Sequence, residues 1–416
     1  MTSQTSSSRV NNRRILWLLF AAVVFAHFIR APYLFFSPRM AGEEGSYFLS
    51  IAHNNGPLAL MLTPYASYYM FWNSLVAALA FILVPLEWAP AFTTLGALAI
   101  QLIPYAFILF GRLTLARRLG DKIALCAILL LAPLSNEVWL TTSNSQFYLS
   151  MGTALLLFEH ARRGTTREMW KRVYLATAGL TSVTSCILAP AYLLKGWLRR
   201  ERTTLMRGVL LSVCVAVQLG VLVYLYFNPH DHGGAVSYAA PGGRNLPSPA
   251  MLGGTLWVKS VGMTLFGEYL CCFSASYMIW AFEDGLTLKL TVYGIFFLIL
   301  SLALPIAIFR LAGRRIWPTL LLAYLVLTLV PSIVGIGPKI DYLNFGWHQR
   351  YYYVPNALLL IGAWFALRNS LRGSLIIRMA MVWCLCAGLL TGAQWWRYRY
   401  GLPDRPDWQV EMKQWR

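Results

Sequence analysis

RRILWLLFAAVVFAHFIRAPYLFFSPRMAGEEGSYFLSIAH, Arg13–His53, joins a long apolar run to a pair of adjacent carboxylates. The run from Ile15 to about Phe28 follows Arg9, Arg13 and Arg14. It is too long for the apolar region of a signal peptide, and no small-residue cleavage site precedes the next segment, so it reads as an uncleaved first span. With the three arginines on the inner side of the membrane, the polar stretch after it falls outside. Glu43 and Glu44 stand there between Gly42 and Gly45, in a chain with only 16 Asp and Glu among 416 residues. An acidic pair just past a membrane boundary is an unusual local choice in so acid-poor a chain.

The composition places the remainder. Hydrophobic residues make up 58%, charged residues 12%, and the mean hydropathy is +0.55. Those values exclude a soluble domain, and apolar runs near 20 residues recur along the chain. The net charge of +19 is carried by short basic clusters between apolar segments. That pattern belongs to loops on the positive side of a membrane and argues against a nucleic-acid partner. The seven cysteines, mostly inside apolar segments, show neither metal-ligand spacing with His nor a disulfide framework.

Positive-inside accounting predicts an all-α polytopic membrane protein of about eleven transmembrane helices, two of them short and paired as a hairpin. Residues 1–14 form a cytoplasmic tail, 15–393 a single transmembrane module, and 394–416 an outer-face tail. Residues 30–90 are the first outer loop, with 57–90 as helices lying at or dipping into the outer surface. Residues 173–194 lie between two basic clusters, and a turn near Thr181–Ser185 keeps both clusters inside. Residues 228–285, rich in Gly and Pro, read as a long outer loop rather than helix. Asp121, Glu159, Glu168 and Glu201 fall among inner arginines and read as their charge-balancing partners. The N-terminus is then cytoplasmic and the acidic pair extracytoplasmic, as in a bacterial inner-membrane protein.

Acids at a membrane face are functional candidates because leaving them unsolvated is costly. Glu43-Glu44-Gly45-Ser46-Tyr47 resembles the acid-Glu-x-x-Tyr motif that follows the first span of GT-C glycosyltransferases, such as protein O-mannosyltransferases and the lipid A aminoarabinose transferase. The order of elements is also similar: surface helices after the motif, a span ending in an Arg-rich turn (ARRLGDK), a short outer loop, and later a long one. The resemblance covers most of the chain as architecture, but as motif only the Glu43 region and Gln349–Pro355. It implies inverting transfer of a sugar from a polyprenyl-phosphate donor to an acceptor hydroxyl at the outer face. The acceptor is a glycan, a lipid or a protein. Glu43 takes the place of the usual Asp and becomes the general base. Glu44 becomes the second acid, holding a metal, a cation or the acceptor, and Tyr47 the motif tyrosine. The chain departs from the family in carrying Glu at position 43 and no evident Asp in the loop after the third span. TTSNSQF offers Asn144 and Gln146 there, with Glu137 nearby. A divalent metal is therefore left open but not favoured, and the lipid-linked donor is the cofactor-like group implied.

A leaving phosphate needs cations. Outer candidates are Arg30, Arg39, Arg244, Lys259, Lys339, His348 and Arg350, with Tyr351 beside the last. The run HQRYYYVP from His348 reads either as an aromatic interface anchor with a snorkelling arginine or as a phosphate contact. His230, Asp231 and His232 have ligand-type composition but also fit an ordinary polar loop. Two other functions fit the spans. A transporter or flippase of lipid-linked sugars would need ionisable groups inside the spans, which are nearly lacking. A glycan polymerase or ligase would use outer arginines and no acidic pair after the first span.

Overall fold

The computed structural model describes residues 4–40, 43–65, 68–159, 166–228, 247–336, 343, 349–370 and 374–396, together with 408, 410 and 412. Among them the protein is helical, with no strand beyond single bridges at Tyr65–Tyr68 and Leu113–Glu159. Four helices are long and apolar enough to cross a membrane: Leu86–Phe110, Arg202–Phe227, Thr287–Leu311 and Leu375–Gln394. At about 1.5 Å per residue each equals or exceeds the ~30 Å hydrocarbon layer. Only 28% of the apolar window of Arg202–Phe227 and of Thr287–Leu311 is buried. Val209, Val213 and Val217 on the first, and Val292, Phe296 and Ile299 on the second, form outward stripes at helical spacing. Water would penalise those stripes and lipid would not, so the protein is embedded in a membrane.

Tyr353–Ser370 is the opposite kind of helix. From Tyr353 to Ala366 nearly every residue is buried, including Asn356, which donates to Lys259 O at 3.1 Å. It runs through the middle of the bundle and joins two polar ends about 25 Å apart. Arg350 lies just before its start, and Arg368 near its end binds Asp121 at 2.7 Å. Ser145–Leu156 runs between the same ends, with Gln146 in its first turn and Glu159 just beyond its last. Glu159 and Glu168 both bind Arg207, at 3.0 and 2.5 Å, and Lys171 reaches Glu159 at 2.6 Å. The charge-balancing role expected of Asp121, Glu159 and Glu168 is what these pairs perform.

Between those basic clusters the chain turns back on itself. Thr166–Thr181 runs alongside Arg202–Phe227, with Glu168 near Arg207 and Gly179 near Cys214. Ala189–Leu198 runs against the same helix, with Gly196 at Leu205 and Gly208 at Leu193. A Cβ on Gly196 would meet Leu205 N at 2.6 Å, so glycine permits this approach. At the tip, Ser150, Ser182 and Thr184 bond one another at 2.5 to 3.0 Å, which satisfies hydroxyls buried in the turn.

Residues 249–283 correct an expectation. They were expected as loop but are helical: Pro249–Leu256, a π-helical turn Trp257–Val261, Gly262–Phe266, then Glu268–Glu283 after a reversal at Gly267 with φ +87°. The glycines act as contact surface instead of loop punctuation. A Cβ on Gly253 would lie 1.9 Å from Gly294 O, and one on Gly254 would lie 2.5 Å from the Met278 methyl. Small residues that let membrane helices approach have the same composition as loop residues. In the segment expected as the first outer loop, Phe71–Leu83 has 13 residues, about 20 Å, which is shorter than a crossing.

Candidate active site

The two glutamates, adjacent in sequence, have different environments. Neighbouring helical residues project about 100° apart, so one faces inward while the next does not. Glu44 opens a π-helical turn, Glu44–Leu49, and is buried. Its Oε1 accepts from the backbone N–H of Thr142 and from Thr142 Oγ1 at 2.6 Å. Two donors stabilise a buried carboxylate and fasten the segment that follows the first long helix to residues 132–144. Glu43 is half-buried and shares a hydrogen bond with the Tyr65 hydroxyl. Tyr65 is held in turn. Its backbone exchanges bonds with Tyr68 at 3.0 and 3.1 Å, and the Tyr47 ring packs edge-on against it at 4.7 Å. Tyr47 Oη donates to Pro64 O at 2.5 Å, so the motif tyrosine shapes the turn that presents Tyr65.

The opposite wall comes from the start of the central helix. Arg350 N donates to Glu137 Oε2 at 3.2 Å, and its guanidinium carbon lies 5.6 Å from the Tyr351 ring. Arg350 Nε has no hydrogen-bond partner among the described residues. Burial opposes the Arg350 charge, but Tyr351, Glu137, Tyr68 and Glu43 outweigh it and hold the group above its ordinary value. Burial, and then the Glu43 carboxylate, push the Tyr65 phenol up. Burial, then Tyr351, push Tyr68 up as well. Both phenols therefore remain protonated donors at neutral pH. Gln146 Nε2 reaches Tyr68 Oη at 3.4 Å, and Tyr351 packs edge-on against Phe147 at 5.5 Å. Lys259, on the π-helical turn Trp257–Val261, is 1% exposed and lies within the field of Glu137. π-Helical turns, whose widened hydrogen bonding redirects side chains, recur at functional sites.

Arg30 and Asn144 have other tasks. Arg30 donates to Leu130 O at 3.3 Å, Ser135 Oγ at 2.8 Å and Asn136 Oδ1 at 2.9 Å. Its guanidinium lies 3.9 Å from the Trp139 ring and 5.0 Å from Trp396. This corrects the expectation of a phosphate contact: the planar fork staples the segment that carries Thr142. That segment needs fastening, because Leu134 and Leu140 have φ of 64° and 49°. The left-handed region costs about 1–2 kcal/mol per such residue. Asn144 Nδ2 donates to Glu137 O at 2.6 Å and so positions Glu137. Arg39 is half-buried on the segment leading to Glu43. Lys339, His348 and the His230–His232 cluster lie outside the described residues. Among the described residues, no three His, Cys, Asp or Glu come together as metal ligands.

The sequence reading missed Tyr65, Tyr68 and Thr142. The tyrosines belong to an aromatic run, TPYASYYMFW, whose composition equally fits an interface belt. Comparison with family models, curated proteins and solved structures gives no match. The chemistry therefore rests on the residues themselves. A half-buried carboxylate lies beside a phenol donor, with a guanidinium and a lysine gathered around a second carboxylate. Such a set can take a proton on one side and balance a developing anion on the other.

Proposed function

We propose that the protein is an inverting membrane glycosyltransferase. It moves a sugar from a polyprenyl-phosphate donor to an acceptor hydroxyl at the extracytoplasmic face, through a bundle of about eleven crossings. The observation that carries this reading is the division of labour within the acidic pair. Glu44 is fixed by Thr142, while Glu43 stays half-buried beside Tyr65 and within the field of Arg350. Glu43 accepts the proton of the acceptor hydroxyl as its oxygen attacks the anomeric carbon. The bond from that carbon to the donor phosphate breaks with its electron pair on the phosphate. Arg350, with Lys259 behind it, balances the phosphate charge. A phosphate leaving group needs no acid opposite the base, so one free carboxylate suffices; a hydrolase of the usual kind would need two.

The test uses purified protein, a radiolabelled polyprenyl-phosphate sugar and a panel of hydroxyl acceptors. Glu43→Gln keeps the shape and removes the base, and is expected to lower transfer by about 10²–10⁴-fold without lowering the thermal midpoint. Wild-type transfer by that variant removes the base assignment. Movement of the donor across vesicles by the wild type, with no sugar transferred, replaces the reading with a flippase.

A further inference from the structure

A large groove of the molecule lies away from the acidic pair. It has a volume of about 1030 Å³ and runs between the helices Ala89–Phe110 and Thr166–Thr181, at the end of the bundle remote from Glu43. Its walls are apolar, with Ile100, Ile103, Phe107 and Val173 along its length and Trp72 at its head. From Ala99 to Phe110 the wall extends roughly 17 Å, more than half the depth of a hydrocarbon layer. Its other end is basic: Arg112, Arg167 and Lys171 line it, beside Glu159. Glu159 is already engaged, with Lys171 at 2.6 Å and Arg207 at 3.0 Å. Arg112 and Arg167 are exposed and form no ion pair among the described residues. Trp170, 64% exposed, stands at the same mouth, the position that tryptophan favours at a membrane interface.

We infer that this groove binds an anionic membrane phospholipid, with an acyl chain between the two helices and its phosphate between Arg112 and Arg167. An apolar channel ending in two uncompensated guanidinium groups is complementary to an amphiphile with a negative head. It matches neither a soluble anion, which has no use for the channel, nor a zwitterionic lipid, whose choline or ethanolamine offsets its phosphate. Basic pockets between transmembrane helices select anionic head groups by this physics. The inference rests on membrane embedding alone and is independent of the transfer reaction.

Native mass spectrometry of the full chain, released from detergent with equal phosphatidylglycerol and phosphatidylcholine, tests it. The wild type is expected to retain phosphatidylglycerol preferentially, by about fivefold per arginine and roughly twenty-five-fold for the pair. Arg112→Gln with Arg167→Gln is expected to abolish the preference. Both residues are exposed, so the fold should not depend on them. Ala106→Trp, which fills the channel, is expected to reduce retention of the lipid with the arginines intact. Equal retention of the two lipids by the wild type overturns the site, as does an undiminished preference in the double variant. Equal stabilisation by glycerol phosphate shows an anion site without a chain and also overturns it. Glu43→Gln is expected to bind the lipid as the wild type does, so failure of either proposal is visible separately.

Discussion

The two polar ends of the bundle hold similar residues in different states. At the end marked by Arg207, two glutamates, an arginine and a lysine close on one another, with Arg207 and Glu168 at 2.5 Å and Arg207 and Glu159 at 3.0 Å. At the end marked by Glu43, the two adjacent carboxylates are held by a phenol, a threonine hydroxyl and a backbone N–H, and Arg350 lies within the field of Glu137 and Glu43. A closed network stabilises the fold but has no charge left over for a ligand. Neutral donors hold the acidic pair instead, with Arg350 and Lys259 gathered at Glu137 and Glu43 left half-buried, an arrangement that can act on something that enters.

That contrast can be broken by exchanging what each end loses. Arg207→Ala leaves Glu159 and Glu168 buried with less compensation and is expected to cost about 3–5 kcal/mol. A detergent thermal melt reads this directly, and a midpoint unchanged from wild type would show that the network is not closed. Arg350→Gln is expected to behave in the opposite way. Transfer should fall about 10²–10³-fold with a smaller loss in the melt than Arg207→Ala gives, because glutamine keeps part of the side chain's length and hydrogen bonding. A variant that loses stability in proportion to activity would make Arg350 a structural residue.

Thr142→Val tests the anchored half of the acidic pair. It removes one of two donors to Glu44, and the expected loss is about 1–3 kcal/mol of stability, measured by the same melt. A neutral outcome would mean that Glu44 is not the fastening point between the two segments. The smallest effect is alkaline. Burial raises the Tyr47 phenol from its ordinary 10.0 to about 12. The unfolded chain releases that proton near pH 10 and the folded chain only near pH 12, so the contribution is complete below pH 10 and is lost as pH rises toward 12. The difference in melting midpoint between wild type and Tyr47→Phe should therefore narrow between pH 8 and pH 11. A gap constant with pH would refute the assignment.

Much of the first site was legible because its signal is local. Glu43 and Glu44 stand out as adjacent acids next to a span in an acid-poor chain, and Arg350 as a cation at the start of another. Arg30 resembled Arg350 in sequence: both are arginines beside aromatic residues at the edge of an apolar run. Only the partners separate them. Arg30 is taken up by Leu130, Ser135 and Asn136, about a hundred positions further along the chain. Thr142 is as distant from Glu44, and no spacing rule reaches that far. The helices of 249–283 were missed for a different reason: the Gly and Pro clusters that precede them were extended over the whole interval, and Gly253 and Gly254 serve a tight helix contact as well as a turn.

By itself the sequence determined that this protein is helical and membrane-embedded, and that Asp121, Glu159 and Glu168 pair with basic residues. Those properties follow from composition and from the period of apolar residues, which act within a few turns of chain. Only the tertiary structure decided which glutamate of the pair is held and which is left accessible, that Arg30 fastens a strained loop, and that a groove with a basic mouth lies between Ala89–Phe110 and Thr166–Thr181. Each depends on which side chains from distant segments are packed together, and hydrogen bonds, ion pairs and cavities are properties of that packing. For the stretch from Arg13 to His53, the chain placed two carboxylates after its first long helix, and the fold buried Glu44 against Thr142 and left Glu43 half-buried beside Tyr65.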